Sequence, residues 1–448
     1  MLTDVIGFAL TGVLLALSVW AFYNMPIFAT GVKDFLKNRQ KRPIKHSIPQ
    51  LLPNFSILVP VKNEDQVIGR LLTAVSKFDY PKDKVEIIII EDGSTDGTLN
   101  VCNNHAKENA NVTILHRAFS TGKPSALNHG LANANGDIVA IFDADNVPAP
   151  NALRTVAEYF CDSTVAAVQG KTLSINPEEN MLTKFISYEE AVYGEVYQRG
   201  KDVLNLFVHL RGSCQFIRRD VLENLGGFNE NVLSEDIEIS ARLTKNNYRI
   251  RYASDVVALQ ESASNFKSLF KQRTRWFRGI TELSFKYGTL MAKLNWKNLD
   301  AEATLFAPFV LIFSLLPYLI GAYALFDVFP SNVVLGYVMQ FALLTTTLSL
   351  LICGCALVYA TKPLKVRNIL WLPFVYFYWS FQAIIALYAV LLNALRRPKK
   401  WNKTEKTGKT TSLTAEKIDL KDQSNLQTLS PELLVRTEEQ ITEEDVSQ

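Results

Sequence analysis

Val85-Glu86-Ile87-Ile88-Ile89-Ile90-Glu91-Asp92-Gly93-Ser94-Thr95-Asp96-Gly97 is the stretch that decides how this chain folds. Val85–Ile90 is a run of branched apolar residues broken only by Glu86, which is the pattern of a strand covered on both faces. It runs straight into carboxylates and glycines, residues that turn the chain sharply. Outward from it the segments alternate. Phe55–Val61, Val112–His116 and Asp137–Phe142 read as strands, while Val67–Phe78, Gly97–Lys107 and Lys123–Ala134 carry helical spacing. The alternation predicts a doubly wound, mostly parallel α/β sheet with ligands at the C-terminal strand ends.

Acidic residues fall at those ends. Asp92 follows its strand where a carboxylate can accept hydrogen bonds from a nucleotide base or ribose. The same stretch reads equally as an acidic turn capping the next helix. Asp143-Ala144-Asp145 follows the strand Asp137–Phe142. Two carboxylates so placed can face one cation together with a diphosphate, and Mg²⁺ or Mn²⁺ suits such an oxygen-rich arrangement. An isolated Asp-x-Asp is common in loops, but this one shares a sheet edge with Asp92. Lys123 stands at a helix start, where free N–H groups and the helix dipole favour an anion. It reads either as a phosphate contact or as a solvated lysine, and the spacing around it is not that of a Walker loop.

Two further stretches carry chemistry. Ser234-Glu235-Asp236 opens a helical pattern, with Ser234 placed to cap it and the acids to complement its positive end. The functional reading makes Asp236 a general base, ionised and within reach of an acceptor hydroxyl. In Gln272-Arg273-Thr274-Arg275-Trp276, the residues Gln272, Arg275 and Trp276 share one helical face. That face reads as an interfacial anchor, with Arg275 also able to meet a diphosphate and Trp276 a sugar ring.

The 448 residues carry a net charge of +3, too small to give the whole surface a polyanion-binding field, and no nucleic-acid partner is expected. Apolar residues concentrate near the two ends and charged residues in the middle, the arrangement of a soluble domain between membrane segments. Leu2 to about Phe28 lacks the basic start and cleavage site of a signal peptide and reads as a retained anchor. Lys33, Lys37, Arg39, Lys41, Arg42 and Lys45 follow it, which places that end in the cytoplasm. Ala303–Phe326, Val333–Ala360 and Ile369–Leu392 each reach the ~20 residues a crossing needs. Four crossings would leave the tail outside, against the charge of Arg396, Arg397, Lys399 and Lys400. The five cysteines form no Cys-x-x-Cys pair and the five histidines no zinc spacing, so a reducing compartment and no zinc site are expected.

Taken in order, Glu91-Asp92-Gly93-Ser94, Lys123, Asp143-Ala144-Asp145, Ser234-Glu235-Asp236 and Gln272-x-x-Arg275-Trp276 resemble the membrane-integrated family 2 glycosyltransferases, the group of poly-N-acetylglucosamine, cellulose and hyaluronan synthases. The resemblance covers about Phe55 to Gly279. It implies an α/β GT-A (Rossmann-like) catalytic domain plus transmembrane α-helices, with inverting transfer from a nucleotide-sugar donor. Carried over, Asp92 contacts the uridine of a UDP-sugar and Lys123 the diphosphate. Asp143 and Asp145 bracket the metal, Asp236 is the base, and Gln272, Arg275 and Trp276 hold the leaving diphosphate and the acceptor sugar. Gly212, Ser213 and Cys214 look like the acceptor-side segment, and Arg397 to Trp401 with Thr404 like the group's ending. Ser234 stands where threonine is usual, and Glu91 where aspartate is common. No phenylalanine-x-valine-threonine loop follows Gly279, and no cyclic-dinucleotide domain follows the apolar stretches.

The resulting division is an anchor over 1–28, a basic cytosolic linker over 29–52 and the transferase domain over 53–265. An interfacial amphipathic region (266–300), a membrane region (301–395) and a disordered tail (396–448) complete it. The acceptor is expected to be a growing β-linked polysaccharide, with a lipid taking a single sugar as the alternative. An inactive binding or transport partner is the reading from outside the enzymes, and the full acidic set argues against it. The protein is expected in the cell membrane, against its lipids, with the catalytic domain cytosolic.

Overall fold

The computed structural model describes residues 2–38, 52–288, 295–317, 319, 333–360, 366–398 and 406–408. At its centre is one sheet of eight strands: β1 (Phe55–Val61), β2 (Val85–Asp92), β3 (Val112–Arg117), β4 (Ile138–Ile141), β5 (Val147–Pro148), β6 (Val165–Ser174), β7 (Gln215–Arg218) and β8 (Arg249–Gln260). The helices described are α1 (Leu2–Asn38), α2 (Ile68–Ser76), α3 (Thr98–Glu108), α4 (Lys123–Leu131), α5 (Ala152–Tyr159), α6 (Met181–Val192), α7 (Arg199–Val203), α8 (Arg219–Asn224), α9 (Glu235–Lys245), α10 (Phe266–Lys286), α11 (Trp296–Phe313), α12 (Val333–Ala360) and α13 (Leu372–Ala394).

The strand order is β3-β2-β1-β4-β7-β6-β8-β5. β1 to β4 pair in parallel, as the alternation predicts. The other half is mixed: β7 runs antiparallel to β4 and β6, and β5 antiparallel to β8. Side chains alternate with a period of two in either direction, so the apolar pattern carries no trace of strand polarity. Between β1 and β4 the order reverses, which opens a crevice at the carboxyl ends of the strands.

The unbroken apolar run of β2 is explained by cover on both faces. Ile87 and Ile89 join Ile57, Val59 and Phe142 beneath Leu71 and Leu72 of α2 and Val156 of α5. Ile88 and Ile90 join Leu58, Val139 and Ile141 beneath Ala126 and Leu127 of α4. Each such side chain contributes roughly 1.5–3 kcal/mol relative to exposure.

The α1 helix runs past the expected anchor boundary at Phe28 to Asn38. It lies so close to α7 that a Cβ on Gly200 would collide with the Ile27 carbonyl. A buried polar lock joins α1, α7 and α11: Asp300 accepts from the Tyr23 hydroxyl at 2.7 Å and faces the Lys201 ammonium at 3.1 Å. Three segments among the described residues are long and apolar enough to cross a membrane: Gly7–Lys37, Val333–Val358 and Val366–Ala394. The expected stretch Ala303–Phe326 enters as the end of α11, with 318 and 320–326 outside the described residues. Arg39, Lys41, Arg42, Lys45, Lys399, Lys400, Trp401 and Thr404 also lie outside them.

Candidate active site

A cavity of about 420 Å³ opens at the carboxyl ends of β1, β2 and β4. Asp92, Lys123, Asp143, Asp145, Gly212, Asp236, Gln272, Arg275 and Trp276 all line it. Nine residues scattered between Asp92 and Trp276 therefore meet in one place.

The end of β2 divides its two carboxylates. Glu91, fully buried, accepts the Ser94 N–H at 2.5 Å and meets His116 Nδ1 at 2.6 Å, so it builds the turn. Asp92 is left toward the cavity, accepting from the Ser120 hydroxyl at 2.5 Å with Arg117 at 3.4 Å. Lys123 opens α4, and its ammonium lies 2.7 Å from Asp143 Oδ1, 2.8 Å from the Gly212 carbonyl and 3.5 Å from Glu235. Burial alone would favour losing its proton, but Asp143 and Glu235 outweigh that and raise its pKa. It remains a cation.

Gly212 has φ +79°, and an added Cβ would lie 3.2 Å from Asp236 Oδ2 and 3.4 Å from Lys123 Nζ. Only glycine brings the backbone this near both groups without strain. The next two residues depart from the sequence reading. The Ser213 hydroxyl accepts the Asp143 N–H at 3.0 Å and bonds Asn146, holding the Asp143 loop. Cys214 is fully buried in the sheet core, where burial pushes its thiol well above the ordinary range. Neither lines the cavity, because the chain is already entering β7, whose alternate residues point into packed faces.

Asp145 is 6% exposed. Its Oδ2 meets the Lys406 ammonium at 2.5 Å and accepts the Glu261 N–H at 3.1 Å. Burial would raise this carboxyl, yet Lys406 and Arg70 draw it below the usual range. Asp143 and Asp145, expected as the metal pair, each face an ammonium, Lys123 at 2.7 Å and Lys406 at 2.5 Å. Their donors are all oxygen, and a cation already rests on Asp145 in the form of Lys406. Among the described residues no three acidic, histidine or cysteine side chains cluster.

Asp236 lies in the first turn of α9. Burial first, and Glu235 second, raise its carboxyl above the usual carboxylate range, while the Ile237 N–H, Lys123 and Arg275 oppose them. A raised pKa is what a base working near neutrality needs. Ser234 occupies the cap position but its hydroxyl makes no cap bond, because the residue is packed against Gly279 of α10. On α10, the Arg273 guanidinium lies 4.3 Å over the Trp276 ring and pairs with Glu189 at 2.5 Å. Glu189 also accepts from Tyr378 and Gln382 of α13, both at 2.9 Å, joining the site to a candidate membrane helix.

Sequence reading missed Glu261 and the segment 406–408. Glu261 follows β8 directly, so the rule that found Asp92 and Asp143 would have found it. It meets Arg70 at 3.2 Å and accepts the Thr407 N–H at 2.6 Å. The tail over 396–448 was expected to be disordered, and 406–408 instead contacts Asp145 and Glu261 at the cavity. Its Thr- and Lys-rich composition carries no signal for that contact.

The profile of the family described as "Glycosyltransferase like family 2" matches residues 53–279, half of the chain. The chain belongs to that family. Among curated proteins, the "Probable glycosyltransferase YdaM" of Bacillus subtilis is 31% identical over 63% of this chain and 68% of its own length. The "Beta-monoglucosyldiacylglycerol synthase" of Synechocystis is 29% identical over 70% of this chain and 68% of its own. A solved mannosyltransferase of Pyrobaculum calidifontis, in complex with GDP-mannose and Mn²⁺, is 23% identical with a TM-score of 0.56. It covers 87% of this chain and 100% of its own, and shares the GT-A fold. This family 2 glycosyltransferase thus joins a GT-A domain to three candidate membrane helices.

Proposed function

We propose that this glycosyltransferase moves a sugar, with inversion, from a nucleoside-diphosphate sugar to a hydroxyl of an acceptor carried by the membrane. The observation that carries this reading is the make-up of the cavity wall. The same space is lined by Asp92, Lys123, Asp145 and Asp236, and by Leu311 of α11 and Gln382 of α13. A polar end suits a water-soluble donor, and an end that reaches the candidate membrane helix α13 suits an acceptor that arrives from the bilayer.

In this reading Asp92 receives the nucleoside of a UDP-sugar, and Lys123, Gln272 and Arg275 receive the diphosphate. Asp236 takes the proton from the acceptor hydroxyl as it attacks the anomeric carbon. The cations already gathered there neutralise charge developing on the leaving group. A Mg²⁺ or Mn²⁺ ion held by Asp143 and Asp145 would add Lewis-acid stabilisation of that diphosphate. Trp276 and Gly212 border the acceptor.

A lipid-borne acceptor is the first reading, supported by the glycolipid synthase that matches over two thirds of its own length. Extension of a β-linked polysaccharide is the second, supported by Trp276 beside Gln272 and Arg275 in the cavity wall. We place the catalytic domain on the cytosolic face of the cell membrane, where nucleotide sugars are available. Purified protein given radiolabelled nucleotide sugars and membrane lipids tests the proposal. Label passing into an organic extract supports the lipid reading, and a large water-soluble product the polysaccharide. Donor left intact with every lipid and glycan offered would overturn both.

A further inference from the structure

The cavity holds a second polar group that the proposed reaction does not use. Glu190, in the last turn of α6, lines the wall and is 6% exposed; His209 lines it too and is 8% exposed. Glu190 Oε1 accepts from the Gln260 amide at 2.9 Å, while Oε2 has no hydrogen-bond partner among the described residues. At His209, Nε2 lies 2.9 Å from the Tyr193 hydroxyl, and Nδ1 has no hydrogen-bond partner among the described residues. The Gln198 amide donates to that same hydroxyl at 3.4 Å, which directs the tyrosine's own proton to Nε2. Burial, then Lys201 and Arg211, push the imidazole down to about 3, so the ring is neutral. Its single proton therefore sits on Nδ1.

Both residues thus line the cavity, and each carries one buried polar atom, an acceptor on Glu190 and a donor on His209, without a hydrogen-bond partner among the described residues. Buried polar atoms are nearly always paired in native proteins, and exceptions call for a role. The surroundings hold both in place. The Arg211 guanidinium lies 5.0 Å over the Tyr193 ring, and Tyr193–Gln198 forms a single π-helical turn, a feature frequent at functional sites. His209 also lies three residues before the Gly212 that packs against Asp236 and Lys123. Arg211 and Arg273 act on Glu190, whereas Glu235, Lys123 and Arg275 act on Asp236.

We propose that Glu190 and His209 form a hydroxyl-reading subsite for the acceptor, Oε2 accepting from and Nδ1–H donating to hydroxyls other than the attacking one. A hydroxyl is both donor and acceptor, so a sugar or polyol head satisfies both atoms. The acceptor then carries several hydroxyls, whether on a glycolipid head or at a glycan end. A diacylglycerol, with its single hydroxyl, leaves both atoms unpaired and is a poor acceptor. The lipid reading thus narrows to a glycolipid head and departs from the diacylglycerol carried in the name of the Synechocystis relative. This inference rests on the reading of the same cavity as the transfer site with Asp236 as base.

Full-length protein, supplied with its preferred radiolabelled donor, is given three kinds of acceptor. These are alkyl β-glycosides of glucose, N-acetylglucosamine, galactose and mannose, the matching β-linked tetrasaccharides, and 1,2-dioleoylglycerol in phosphatidylglycerol vesicles. At least one glycoside is used, and dioleoylglycerol about a hundredfold less efficiently or worse. The alkyl glycosides and tetrasaccharides separate a glycolipid head from a glycan end. Glu190→Gln and His209→Phe each raise the acceptor KM by about tenfold or more. Donor KM and the slow hydrolysis of donor without acceptor stay unchanged, which general damage to the fold would not allow. Preferential use of dioleoylglycerol, use of no glycoside, or an unchanged acceptor KM in either variant overturns the subsite. The base is tested apart from it: normal turnover in Asp236→Asn sinks the base and leaves the subsite standing.

Discussion

At Asp236 two demands meet, since a base has to be ionised and the cavity makes ionisation costly. Burial and Glu235 raise its carboxyl, so the proton is held to a higher pH than on a free aspartate. Activity is therefore present above that raised pKa and lost as pH falls through it. Glu235→Gln removes the like charge and is expected to move the acid limb of the pH–rate profile toward lower pH. A limb that stays in place would show that Glu235 does not act on the base. Asp236→Asn keeps the shape and is expected to slow turnover by on the order of 10²–10⁴ while donor still binds. Asp145→Ala is expected to abolish transfer, and after chelation Mg²⁺ or Mn²⁺ should revive only the wild type. Full turnover in excess chelator would refute the metal pair. The residue identities at these positions were legible because each acid ends a recognisable strand or opens a recognisable helix. Ser213 and Cys214 were not, since nothing local says which residues of a segment entering a strand face the core.

Elements were legible to the extent that one period identifies them. Strand β2 matches its expected start because both of its faces are apolar, and removing one of its core residues tests that origin. Ile89 is fully buried, so Ile89→Ala is expected to cost about 2–5 kcal/mol, read as a lowered unfolding temperature. An unchanged temperature would mean that the two-faced packing is not what holds the strand. On α10 the shared face of Gln272, Arg275 and Trp276 was readable from 3.6-residue spacing, and all three line the cavity. The partners of that helix were not readable. Glu189 on α6 forms a partly buried pair with Arg273, and removing it leaves the guanidinium without that counter-charge. Glu189→Ala is therefore expected to loosen α10 from α13, seen as faster proteolysis within α10. Equal proteolysis rates for variant and wild type would show that the ion pair does not hold the junction.

Across the whole molecule, Lys406 meets Asp145, so residues 406–408 lie beside the catalytic site. We propose that the chain between them crosses the membrane an even number of times, as the candidate spans α12 and α13 would supply, with α11 on the catalytic side. That arrangement would resolve the parity conflict posed by Arg396 and Arg397. A tag near Asn109 and a second at the C-terminus are both expected to be shielded from external protease in intact cells. Cleavage of only one would break the assignment. By itself the sequence determined β1 to β4 and the helices between them, several segments apolar enough for a membrane, and that Asp92, Asp143 and Asp145 end up at the carboxyl edge. Those follow from periodicity and from local chain chemistry, both of which act between near neighbours. Only the tertiary structure decided the direction of β7, the burial of Cys214, the grip of 406–408 on Asp145 and the unpaired atoms of Glu190 and His209. These depend on which distant surfaces meet, and the side chains involved have no spacing relation along the chain.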